Sequence, residues 1–147
     1  VDKVDKIMHG MQTGIAGMHQ QVRQWAEGGF LAKLLGVLRE KRFAVCLTAD
    51  HGNVEAVGCG RPSEGAIADQ RGERVRVYPN KTLRARVKES FPDAIDWAPA
   101  GLPQDYLPLL SCGRTAFVPE KERIVAHGGV ALEEVVVPLV RVAWEGS

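Results

Sequence analysis

The residues predict an α/β fold, a helix-flanked and mostly parallel sheet with a small β-hairpin and long loops, and three observations carry the prediction. Phe43-Ala44-Val45-Cys46-Leu47 is apolar without polar alternation, as expected of a strand covered on both faces. Two stretches with a single apolar stripe at helical spacing precede it, so helix, short turn and buried strand form one α/β unit. A valine-rich strand, Val135 to Ala143, closes the chain.

In order, Ile15, Met18, Val22 and Trp25 make one face of a helix that ends near Gly28-Gly29. Leu31, Leu34, Leu35 and Leu38 form the buried face of a second helix, and Arg39, Lys41 and Arg42 complement its C-terminal dipole. The strand 43–47 follows, with Cys46 as a small buried hydrophobe and Thr48 at its buried end. Gly52 to Gly72, rich in glycine and poor in large apolar residues, reads as a long loop. Val75, Val77 and Tyr78 suggest a short strand ended by Pro79-Asn80, and Leu83 and Val87 a helix stopping before Pro92. Asp93 to Pro108, with Trp97, Pro99, Gly101 and Pro103, has loop chemistry. Ala116-Phe117-Val118 and Ile124-Val125 flank the turn Pro119-Glu120-Lys121-Glu122, which predicts a hairpin. Pro138 within the last strand predicts a bulge or an edge position.

With 147 residues, 45% apolar and 25% charged, the chain has the balance of one globular domain with its own core, which excludes a disordered segment. A formal charge of +1 gives no global electrostatic argument for a nucleic-acid partner. Locally, Arg71, Arg74, Arg76, Lys81, Arg84, Arg86 and Lys88 stand against Glu73, a stretch that could meet a phosphate backbone but reads first as a solvated strand and helix face. Cys46, Cys59 and Cys112 form no C-x-x-C pair and cannot all be bridged within one molecule, so a reducing cytoplasm is the expected location. Neither a signal peptide nor an apolar stretch of the ~18 residues that a membrane span requires is present.

Function is concentrated in Thr48-Ala49-Asp50-His51-Gly52-Asn53. Asp50 and His51 emerge at the carboxyl end of the apolar strand, the edge where open α/β sheets gather ligands. The same residues also read as a plain turn, since Asp, Gly and Asn are all turn formers. Asp5 and His9, four apart, share a helix face and can grip one ion or simply form a polar face. His127 stands beside Gly128-Gly129, a pair that suggests close backbone packing, while His19 has no such company and is expected to face solvent. Taken together, Asp5, His9 and His127 make one three-donor metal site, and Asp50 and His51 half of a second.

These blocks resemble the alkaline phosphatase superfamily. More narrowly, Glu55-Ala56-x-Gly58-x-Gly60, Arg71 to Tyr78, Gly101-Leu102-Pro103 and His127 to Pro138 resemble the PglZ domain, from about Asp5 to the last strand. The resemblance implies a metal-dependent phosphoryl-transfer hydrolase of bacteriophage-defence systems of the BREX type. It places Asp5, His9 and His127 on one metal and Asp50 and His51 on another, with zinc the expected ion and manganese admitted by the same donors. It also implies an early aspartate and a hydroxyl nucleophile upstream, which have no counterpart here. The chain is therefore expected to be the C-terminal part of a domain, inactive alone, partnered by the upstream part, a phosphoester substrate and other defence proteins. Asn53, Glu134 and Arg74 are candidates for supporting or substrate contacts, with a turn residue and a helix-surface carboxylate as the plainer roles of the first two. The rivals are a phosphoglycerate-mutase-like isomerase, from the Thr-Ala-Asp-His-Gly-Asn block, and a non-catalytic interaction module of a defence complex.

Overall fold

The computed structural model of the chain describes residues 14–63, 70–98 and 100–144. The two predicted helices are present as α1 (Gly14–Glu27) and α2 (Phe30–Glu40). Met18 on the α1 stripe is buried, and Trp25 meets Phe30 across the turn with ring centroids 5.8 Å apart. The expected buried face of α2 is not buried: Leu31, Leu35 and Leu38 are half-buried and Leu34 is exposed.

Strand β1 (Val45–Thr48) corrects the expectation of a mostly parallel sheet. It pairs antiparallel with β9 (Leu139–Val142), from Val45↔Val142 to Thr48↔Leu139, and with no other strand among the described residues. Cys46 and Thr48 are exposed rather than buried. Adjacent strand residues point to opposite faces, and Leu139 and Val140 are 77% and 50% exposed, so both faces of this ribbon are open. The apolar run has the composition of a strand buried on both sides, but the described residues do not supply the layers. The last strand begins only after Pro138, so the proline ends the loop instead of bulging the ladder.

The predicted hairpin is also replaced. Strand β2 (Val54–Gly58), which lies inside the stretch read as a loop, inserts between β7 (Thr115–Ala116) and β8 (Arg123–Ala126) in the order β7-β2-β8. It runs parallel to β7 and antiparallel to β8. The 119–122 turn wraps the end of β2, with the Gly58 N–H donating to the Glu122 carbonyl at 2.7 Å and the Lys121 N–H to the Gly58 carbonyl at 3.1 Å. Ala56, Ala116 and Val118 form the small core of this sheet with Ile124 packed on it.

A third sheet is antiparallel throughout, in the order β3 (Gln70–Arg71), β4 (Val75–Tyr78), β6 (Leu107–Leu110), β5 (Ile95–Asp96). Strands β5 and β6 fall in the stretch read as a loop, where prolines masked them. Helix α3 (Lys81–Ser90) follows β4 as predicted, and Asn80 caps it by accepting the Leu83 N–H at 2.9 Å. Tyr78, Ala94, Leu109 and Phe117 make the main core, with Phe91 packed edge-on to Phe117 at 5.5 Å. The basic stretch is only partly a solvated face: Arg74 and Arg76 are 0% and 7% exposed and Arg84 and Lys88 both reach Asp96, at 3.4 and 3.6 Å, whereas Lys81 and Arg86 are exposed.

Candidate functional site

The β2–β8 ladder determines where the candidate residues meet. Val54 pairs with Ala126, so the residues before 54 and after 126 leave the sheet side by side at one edge. His51 and His127 come together there, their rings stacked with centroids 3.8 Å apart and planes 15° from parallel. The sequence separates these imidazoles widely, and the antiparallel register closes the gap.

His51 Nδ1 lies 3.0 Å from the Gly52 carbonyl oxygen. A carbonyl only accepts, so Nδ1 carries a proton and Nε2 is the ring nitrogen left outside this contact. That nitrogen is 3.9 Å from Asp50 Oδ2, too far for a hydrogen bond to consume it. The His51 N–H donates to Asp50 Oδ1 at 3.1 Å. Asp50's own backbone N–H, then the adjacent imidazole, then the His51 N–H hold its carboxyl below the ordinary 3.8, so an exposed, ionised carboxylate stands beside the His51 ring.

Beneath the imidazoles lies a buried ion pair. Arg74 and Glu134 are each 1% exposed at the side chain. Arg74 Nε donates to Glu134 Oε1 at 2.6 Å and Nη2 to Oε2 at 2.8 Å, a bidentate pair. The Gly129 N–H donates to Oε1 and the Ala131 N–H to Oε2, both at 2.9 Å, so each carboxylate oxygen receives one guanidinium and one backbone proton. Burial pushes the Glu134 carboxyl up, but the Arg74 and backbone hydrogen bonds outweigh it and hold the group below its ordinary value. The rest of the guanidinium grips the Gly113 carbonyl at 2.8 Å and the Thr115 carbonyl. Glu134 is thus no helix-surface carboxylate. It starts the four-residue helix α4 (Leu132–Val135) by accepting from the preceding Ala131 N–H and shapes the loop that carries His127.

Two glycines allow this packing. A Cβ on Gly129 would stand 2.5 Å from Arg74 Nη2, and one on Gly52 would stand 1.9 Å from the Glu133 carbonyl oxygen. The Gly52 N–H donates to the Glu134 carbonyl at 2.8 Å, so the His51 turn and the His127 loop are tied through one residue. Gly-Gly beside His127 was the readable sign of close packing; the partners at 113 and 115 had no sign at all.

A model of the BREX-system PglZ alkaline-phosphatase-like domain matches residues 1–142. The chain belongs to the PglZ family. No curated protein sequence matches it. In this PglZ domain the structure brings Asp50, His51 and His127 to one edge, with Arg74 and Glu134 supporting them from below. Asp5 and His9 lie outside the described residues. Asn53 sits between His51 and β2, its Oδ1 buried without a hydrogen-bond partner among the described residues. His19 is exposed, as predicted. Among the described residues no group of three or more His, Cys, Asp or Glu side chains is arranged to hold a metal ion, and no helix is long and apolar enough to cross a membrane.

Proposed function

We propose that this PglZ domain supplies one wall of a divalent-metal phosphoesterase centre in bacteriophage defence. The observation that carries the reading is the stacked His51–His127 pair, with His51 Nδ1 engaged by the Gly52 carbonyl and Nε2 3.9 Å from Asp50 Oδ2. A ring nitrogen offers its lone pair in the ring plane. With their rings stacked and nearly parallel, the two imidazoles would each serve a separate ion. Asp50 and His51 would hold one, and His127 would hold the other together with Asp5 and His9. Histidine and carboxylate donors fit zinc and also manganese. When bound, such ions polarise the phosphoryl oxygens and stabilise the leaving oxygen.

The chain's own residues prepare that chemistry. The Gly52 carbonyl fixes the His51 tautomer and ring orientation, the role an outer partner plays for a metal-bound histidine. Asp50 stays ionised, and the Arg74–Glu134 pair keeps the two histidine-bearing loops in place. The hydroxyls of Ser111 and Thr115 donate to the carbonyls of Arg74 and Cys112; following the family resemblance, we assign the nucleophile and the remaining ligands of the Asp50–His51 ion to residues outside those described.

The test is metal-dependent hydrolysis of bis(p-nitrophenyl) phosphate by the longest natural polypeptide that carries this sequence. Asp50→Ala is expected to abolish the metal-stimulated rate. A parallel zinc titration followed by NMR is expected to move the His51 and His127 ring resonances and leave His19 in place. If no phosphoester is cleaved and all imidazoles respond alike, the reading fails. The non-catalytic module then stands.

A further inference from the structure

We propose that the groove between the α2–β1 turn and the end of β9 binds single-stranded nucleic acid. It is an open groove of about 870 Å³, lined by Arg39, Arg42, Phe43, Arg141 and Trp144 with the first residues of β1 as its floor. The β1–β9 register, Val45↔Val142, places Phe43 opposite Trp144 just beyond the ladder. Trp144 is anchored there, its Nε1–H donating to the Phe43 carbonyl at 3.3 Å, and Phe43 is 54% exposed.

Charge points the same way. Among the described residues the guanidinium groups of Arg42 and Arg141 make no ion pair or hydrogen bond, and both are exposed. Arg42 and Arg141 line the groove, and no carboxylate is among the described residues that line it, which leaves it basic. Arg42 moreover has φ 58°, the left-handed conformation that glycine ordinarily takes just after a helix. An arginine stands here where glycine would be free of strain.

By contrast, the basic stretch that the sequence marks, from Arg71 to Lys88, has Arg74 and Arg76 buried and Arg84 and Lys88 held by Asp96. Free guanidinium groups beside exposed aromatic surface are what unpaired nucleotides need: phosphates meet the cations and base faces stack on the rings. A duplex keeps its base faces hidden and would use only the cations. The inference stands on this groove alone and does not depend on the metal centre.

The experiment is fluorescence anisotropy of a labelled oligothymidylate of about 20 nucleotides against the whole chain over a range of salt. Arg42→Gly combined with Arg141→Ala is expected to weaken binding at least about tenfold and to flatten the log–log salt slope by about 1.4, two contacts at ~0.7 each. Arg42→Gly removes the charge and relieves the backbone, so this variant folds. Trp144→Ala is expected to weaken binding without changing the slope, and Lys81→Ala with Arg86→Ala to leave it as it was. The proposal is overturned if the wild-type chain does not bind, if duplex binds as tightly as the single strand, if the Arg42/Arg141 variant binds like wild type, or if the Lys81/Arg86 variant carries the loss.

Discussion

Replacing Glu134 by Gln tests whether the buried ion pair holds the site together. Each Glu134 oxygen accepts one Arg74 proton and one backbone proton, at 2.6 to 2.9 Å. A glutamine amide keeps one acceptor and turns a donor toward the other two protons. Whichever way it flips, one guanidinium N–H and one backbone N–H lose their partner, and Arg74 remains buried without a counter-charge. Breaking one member of a buried pair costs about 3–5 kcal/mol. At roughly 2–4 °C per kcal/mol for a chain of this size, the melting temperature should fall by roughly 6–20 °C. Urea denaturation and thermal melts followed by circular dichroism measure it. The pH dependence has a defined sign. Because the folded Glu134 carboxyl lies below its ordinary 4.5, its stabilisation is complete above that value and is lost as pH falls through the lower folded value, so the wild type and Glu134→Gln should converge in acid. Replacing both partners, Arg74→Met with Glu134→Leu, should cost less than the sum of the single changes. A loss under ~1 kcal/mol for Glu134→Gln, with the His51 and His127 resonances unmoved, would refute the reasoning.

Gly52→Ala drives a methyl group into the Glu133 carbonyl, so about 1–3 kcal/mol of stability should go and His51 should lose its zinc response in NMR, whereas His19 and the α1 resonances stay put. Asn80→Ala removes the cap of α3 and should cost ~1 kcal/mol in urea titration without touching either histidine, since α3 packs on β4 and β6 and not on the site.

What could be read from the sequence follows the range of the interactions involved. Helices α1, α2 and α3 and strand β4 were legible because stripes, caps and prolines are local signals. Strands β2 and β6 were missed for the same reason: Gly58 and Pro108 speak locally for a turn, while the ladders with Ala126 and Val77 that override them are long-range. Arg76 alternates on β4 as a solvated residue would, yet it is buried, with Nη2 donating to the Phe117 carbonyl at 3.3 Å, because the 111–117 segment crosses over it. At the site, His51 and His127 were recognisable one by one. That their rings stack depends on the Val54↔Ala126 register, which nothing near either histidine encodes. The hairpin failed through a competitor for the same edges: β2 takes the place between β7 and β8 that each would have taken with the other.

The candidate centre therefore has a foundation that is independent of any ion. His51 is positioned by its own Gly52 carbonyl and by the Gly52–Glu134 hydrogen bond, His127 by the β8 ladder and the Glu134 grip on Gly129, and Glu134 in turn by Arg74. A metal that organises an unstructured site must contribute the folding energy itself, as in small zinc domains. Here the two imidazoles already stack on one another and His51 Nδ1 is already engaged by the Gly52 carbonyl without any ion. The cost is borne by a buried arginine and carboxylate, an arrangement that adds little stability over apolar packing but admits only one geometry. A site that must hold two stacked imidazoles in register gains more from that single geometry than from the stability forgone.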